Sequence, residues 1–453
     1  MKITKKILII LIIISTLFSG LIYTMPVQAA NSDKTQPTSN TITKPSSAPA
    51  PDFTISSEGA VLIDSTSGKI LYGKNENKKL YPASTTKIIT AILAIEHCKP
   101  TDKITASYDA VMSIPSGYSN AAIQPGETLD FKDLLDMFLI HSANEIGNIF
   151  AEHVSGSVEN FAKLMNQKAA EIGCKHTHFT NPSGIHDVEH YSTAYDMALI
   201  AQYCMKNQVF RNTVAKTSCT VEATDKYEER YFKNTNDLLN KKSNYYYEYA
   251  IGTKTGYTSQ AKRCLIATSL KDNIELITVT LGAQSGNTDT RYQDTINLFE
   301  YGYSNYKIET IATKDTKIEE IVIGNATNST KNLSLLIKDD LKGLVPTSSK
   351  LVNLDPTVKL NDLIAAPINE GDVLGTVTYK IGDFEYSADL VAAHSVEELN
   401  VKLMLSQIAL ALLVVFILSK LITSKKKLKK KSKKKKNYKN KKSGSNKNSI
   451  YKF

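Results

Sequence analysis

Between residues 250 and 283 three runs rich in β-branched residues, AIGTKTGYT, RCLIATSL and IELITVTLGA, are separated only by short polar turns. A parallel pair needs a crossover of a dozen or more residues, so strands this close in sequence pair antiparallel. Two further apolar runs in GAVLIDSTSGKILYGKN flank residues 65–68 and predict a β-hairpin. Helical patterns occupy 84–98, 130–151, 158–172 and 193–206, and another follows at about 289–303. Strand, helices, strands, helix is an α+β order, with helices massed beside one antiparallel sheet.

The rest of the chain is organised differently. From 306 to 395 short strand patterns with Gly, Asn and Asp turns predict a separate small all-β domain with no constellation of reactive residues. Residues 30–52 are mostly Ser, Thr, Pro, Asn and Ala and form a spacer. Residues 1–29 read as a secretory signal: Lys2, Lys5 and Lys6, then ILIILIIISTLF, then small residues at Val27 and Ala29. An uncleaved anchor helix is the alternative. Residues 403–422 have nearly the length and composition to cross a bilayer. Thirteen lysines follow between 425 and 442. The positive-inside rule puts that tail, 425–453, in the cytoplasm and the chain before the span outside. A helix lying on the membrane surface is the alternative.

The net charge of +10 belongs to the ends. Without the three leader lysines and the fifteen from Lys425 onward, the remainder carries −8. The basic tail suits anionic lipid, and the folded part has no charge case for binding nucleic acid. Five cysteines without CxxC spacing match neither a disulfide framework nor a zinc site, and read as free thiols.

Ser84 and Lys87, in YPASTTKIIT, stand three residues apart at the mouth of the apolar 84–98 helix. At that spacing both side chains share a face. Burial lowers a lysine's pKa, and a neutral amine can take the proton of a serine hydroxyl, a weak nucleophile until activated. A lone S-x-x-K is weak, and Ser84 as a helix cap with a surface Lys87 fits it equally. Two further motifs follow in order. Ser142-Ala143-Asn144 falls in a break in helical sequence. Lys254-Thr255-Gly256 lies in a strand, where glycine admits a substrate backbone. S-x-x-K, S-x-N and K-T-G together form the signature set of class A β-lactamases and penicillin-binding proteins.

On these motifs, and on GAVLIDSTSGKILYGKNENKKLYPASTTKIITAILAIE, FTNPSGIHDVEHYSTAYDMALIA, GTKTGYT and GNTDTRYQDTINLFEYGY, the chain resembles the serine-type D-alanyl-D-alanine carboxypeptidases, the low-molecular-mass penicillin-binding proteins. The resemblance covers about 55–305 and, more weakly, runs to about 392. It implies a transpeptidase/β-lactamase-like domain at 53–305, the small β domain, and a membrane anchor. It implies removal of the terminal D-alanine from peptidoglycan stem peptides, inhibition by β-lactams, and no metal or cofactor. Ser84 would be the nucleophile, Lys87 its base and Ser142 the proton relay to the leaving group. Asn144 would bind the substrate amide, and Lys254, Thr255 and Gly256 would line the cleft. The N–H groups of Ser84 and Tyr257 would form the oxyanion hole, since a tetrahedral intermediate needs two aligned donors. Arg291 would steer the terminal carboxylate; the alternative is that it pairs with Asp289 or Asp294 on a helix surface. One departure stands out. Lys262 replaces a glycine often found in the hairpin after the K-T-G strand, which puts that turn's geometry in question. Two other activities stay open: a β-lactamase, disfavoured by the lack of an E-x-x-x-N base, and an inactive wall-binding homologue.

Overall fold

The computed structural model describes residues 48–284, 288–351, 354–382 and 384–442. The expected signal segment at 1–29, the expected spacer up to residue 47 and the tail beyond 442 lie outside the described residues. The first sheet contains β1 (Gly59–Asp64), β2 (Ile70–Lys74), β3 (Ala250–Thr258), β4 (Lys262–Lys271) and β5 (Ile274–Ala283). Their spatial order is β2-β1-β5-β4-β3, and every pairing is antiparallel. The N-terminal hairpin therefore docks on the last strand of the meander, and β3 is left as an edge strand.

Helices cover both faces of this sheet, which is why β1 is buried at every residue. The period-two alternation sorts its side chains. Val61 and Ile63 face a core shared with helices α1 (Lys87–His97), α2 (Glu145–Ser155), α3 (Val158–Ile172) and α4 (Ala194–Met205). Ala60 and Leu62 face the other way, against Tyr292, Leu298 and Phe299 of α5 (Thr290–Asn305). Helix α1 is buried from Lys87 through Ala94 and so runs through the middle of the helical layer.

Two helical expectations are refined. The 84–98 segment opens with a tight 3₁₀ turn, Ala83–Thr86, before α1 begins at Lys87. Ser84 therefore lies in that turn and caps no helix. The 130–151 segment is broken: Phe131–Asp136 is α-helical, Met137–His141 widens into a π turn, and Ser142 takes φ +72° before α2. A left-handed serine costs of order 1–3 kcal/mol and persists only where surrounding structure enforces it.

Beyond α5, a five-stranded antiparallel sheet forms from Lys317–Val322, Asn332–Ile337, Phe384–Ala392, Val373–Ile381 and Thr357–Leu360, in that spatial order, over its own apolar core. The first domain is met by Tyr306, which opens a separate strand, Tyr306–Ala312, and donates to Leu71 O (3.3 Å), and by the sheet's Tyr386, whose ring lies 3.3 Å beneath Lys69. The last helix, α6 (Val401–Lys442), is exposed and does not stop at the apolar stretch. It continues through the lysines, which are good helix formers. Its Val401–Lys435 part is long and apolar enough to cross a membrane.

Candidate active site

Three segments distant in sequence converge on the Lys87 amine. The side chain is completely buried. Its Nζ lies 2.9 Å from Ser84 Oγ, 2.8 Å from Asn144 Oδ1 and 2.7 Å from Ser183 O. Burial pushes its pKa well below that of an ordinary lysine, and the charge of Lys254 pushes the same way, while Glu145 opposes.

The Ser84 turn is wedged between two glycines. A Cβ on Gly256 of β3 would come within 3.1 Å of Pro82 O, Ser84 N and Thr85 N, so the strand can approach the turn only because it has no side chain there. On the opposite flank Gly184 (φ +78°) leaves no room at all: a Cβ there would lie 1.8 Å from Ala83 O. The loop carrying Gly184 is organised by Asn181 Oδ1, which accepts from the N–H groups of Ser183, Gly184 and Ile185. This fixes the Ser183 carbonyl that meets Lys87. His190 ties the same loop to α1's approach. Its Nδ1 accepts from Thr180 N (3.1 Å), so Nε2–H donates to Thr86 Oγ1 (2.8 Å). Burial lowers its pKa to about 3, which keeps it neutral.

The 142–144 loop and β3 face each other. Asn144 is engaged at both ends, Oδ1 on Lys87 and Nδ2 donating to Ser119 O (2.7 Å), which leaves one N–H and one oxygen lone pair for a further partner. Ser142 is nearly buried, and its hydroxyl has no hydrogen-bond partner among the described residues. Thr235 links the two segments: its N–H donates to Ile140 O (3.1 Å) and its Oγ1 lies 2.7 Å from Thr255 Oγ1. On β3, buried Lys254 donates to Thr255 O (3.1 Å). Burial and the neighbouring Arg291 lower its pKa to about 7.

Arg291 is not a surface residue. It is buried beneath β3, with Nη1 3.4 Å from both Gly256 O and Cys264 O, and it pairs with Asp289 at 3.1 Å. Asp294 is occupied elsewhere, accepting from Ser56 and Ser57. Tyr257 points its ring to solvent, under the Arg263 guanidinium. Lys262 takes φ +58°, the conformation a glycine would adopt, so the hairpin keeps its turn despite the substitution. The five thiols are free, and four of them are buried. The sequence reading had not singled out Ser183, Gly184, His190 or Thr235. NPSG, a turn-forming stretch, signals only Ser183 and Gly184.

The sequence pattern described as D-alanyl-D-alanine carboxypeptidase matches residues 43–285, and that of the C-terminal domain of penicillin-binding protein 5 matches 306–398. The D-alanyl-D-alanine carboxypeptidase DacF of Bacillus subtilis is 33% identical over 71% of this chain and 81% of its own length. The chain belongs to the D-alanyl-D-alanine carboxypeptidase family. DacA of Haemophilus influenzae, another carboxypeptidase, is 29% identical over 77% of this chain and 87% of its own. The crystal structure of penicillin binding protein 5 from Haemophilus influenzae superposes with a TM-score of 0.65 at 26% identity, covering 77% of this chain and all of that one. Of the three activities open on sequence, the serine-type carboxypeptidase is the one these matches carry.

The fit around the Ser84 turn of this carboxypeptidase can be tested by Gly184→Ala. A methyl group there meets Ala83 O and also strains a left-handed backbone. We expect a loss of stability exceeding about 1 kcal/mol, seen as a lower melting temperature, and weakened labelling by a fluorescent penicillin. An unchanged melt together with unchanged labelling would show that the loop does not buttress the turn.

Proposed function

We propose that Ser84 is the acyl-forming nucleophile and that Lys87, as a neutral amine, is its base. One observation carries this: the Lys87 amine is enclosed by two groups that only accept and one hydroxyl. Asn144 Oδ1 and Ser183 O can take the two protons of a neutral amine. The lone pair then faces Ser84 Oγ–H, as a base must. In an ammonium the third proton would point at Ser84 and block deprotonation.

The reaction follows from this arrangement. Lys87 takes the Ser84 proton as Oγ attacks the carbonyl carbon between the two D-alanines. The oxyanion is held by the Ser84 and Tyr257 N–H groups. As the C–N bond breaks, Ser142 hands a proton from Lys87 to the leaving amine, and free D-alanine departs. Water then attacks the ester, with Lys87 again taking a proton, and restores Ser84. A β-lactam enters by the same first step. Lys254, Thr255 and Arg291 hold the carboxylate of the departing residue, the cationic pair supplying charge and Thr255 a hydroxyl. Asn144 orients Lys87 through Oδ1 and offers its second Nδ2 proton to the substrate amide carbonyl.

The same proposal covers the ends of the chain. Residues 1–29 direct export, 30–52 form the spacer, and residues 53–305 and 306–395 stand on the wall side. Segment 403–422 anchors the protein in the membrane, and the lysine-rich segment from 425 lies on the cytoplasmic face against anionic lipid.

Two tests bear on the site. Ser84→Ala should abolish penicillin labelling with little change in thermal stability, because the side chain caps no helix. Persistent labelling would remove Ser84 as nucleophile. The second test uses pH. Lys254 titrates at about 7 in the free enzyme. It is cationic below that value and neutral above it. Since kcat/KM reports free-enzyme groups, kcat/KM for a peptide ending in a free carboxylate should fall, relative to its C-terminal amide, as pH rises through about 7. A ratio flat from roughly pH 5 to 9 would take Lys254 out of carboxylate binding.

A further inference from the structure

The edge strand β3 gives the cleft a direction. Lys254 lies towards the strand's N-terminal side and Gly256 touches the Ser84 turn. Beyond Thr258 the chain turns back through Gln260 and Ala261 into β4. An extended peptide whose carboxylate sits at Lys254 and whose scissile carbonyl lies over Ser84 runs antiparallel to β3. Its preceding residues therefore head for this turn.

A cavity of about 440 Å³ lies there. That volume is within the range of sites that enclose small ligands. Gln260 and Ala261 form one wall, and Tyr81, three residues before Ser84, belongs to another. Gln260 is four residues past Gly256. At about 3.3 Å per extended residue, and less through the turn, the cavity begins roughly 7–13 Å from the reaction centre. That is the reach of the two residues preceding D-Ala-D-Ala. Beside Tyr81, His186 packs edge-on at 4.7 Å, and its buried Nδ1 has no partner among the described residues.

The cavity's charge is uneven. Lys78 is paired with Glu58 at 3.0 Å. Lys79 has no carboxylate partner among the described residues, and its Nζ is held 4.3 Å from the centre of the Tyr191 ring. A cation resting on an aromatic face keeps its position and stays available to an anion.

We propose that this cavity is the acyl-side subsite, where Lys79 binds a carboxylate on the stem-peptide residue two positions before D-Ala-D-Ala. This rests on Ser84 as nucleophile. The occupant's chemistry is a residue with a free carboxylate. Its carboxamide form offers no charge and binds less well.

The test uses two stem pentapeptides, identical except for a free carboxylate or a carboxamide on that residue. The full-length protein should prefer the carboxylate form in kcat/KM. Lys79→Gln should cut the preference about tenfold, the scale of one charge-assisted hydrogen bond, and Lys79→Glu should cut it further. Thermal melts and penicillin labelling check that the variants are folded. An unchanged preference in both variants, or equal turnover of the two peptides by the wild type, overturns the proposal. The wild-type comparison needs no variant to fold. Labelling that survives Ser84→Ala overturns the underlying mechanism as well, and that result is read independently of the substrate ratio.

Discussion

A lysine amine completely removed from solvent governs this active site. An isolated buried ammonium is far too costly to keep, so the group neutralises or finds partners. Here it does both. Burial and Lys254 drive its pKa down, while Asn144, Ser183 and Ser84 complete its hydrogen bonds. Meeting that demand requires three remote segments to be held to within a few tenths of an ångström. The hydrogen-bond hubs at Asn181 and His190 serve this purpose. So does the left-handed Ser142, which ends one helical segment so that Asn144 can reach across to Lys87.

Close backbone approach is the second constraint. Gly256 and Gly184 press on the Ser84 turn from opposite sides, one from the sheet and one from the loop. Ser84 is thus gripped between a strand edge and a loop rather than carried on a free helix end. Because β3 is the edge of its sheet, its outer side is available to an extended peptide.

Much of this was legible in the sequence. The runs at 250–283 read as strands, and β5 begins and ends as expected, because β-branched residues and polar turns are local signals. Ser84, Lys87, Ser142, Asn144, Lys254 and Thr255 stand out in the sequence by order and spacing. What stayed hidden is non-local. The Ser183 carbonyl is a backbone group that no residue type announces. Thr235 and His190 act through contacts 20 and 104 residues away in the chain. Asn144 reads in the sequence as a substrate ligand, and the fold adds its contacts to Lys87 and Ser119, which no local signal announces. The continuation of α6 through the lysines was missed for a different reason: charge marks where a membrane segment ends, not where a helix does.

The central claim is that Lys87 works as a neutral base on Ser84. It is tested most directly by the pH dependence of acylation with benzylpenicillin methyl ester, which has no carboxylate for Lys254 to hold. The account predicts a second-order rate constant that rises with pH as the Lys87 amine loses its proton, and levels off well below the ordinary lysine value of 10.5. A rate that keeps climbing to that value, or one that falls as Lys87 deprotonates, would contradict it.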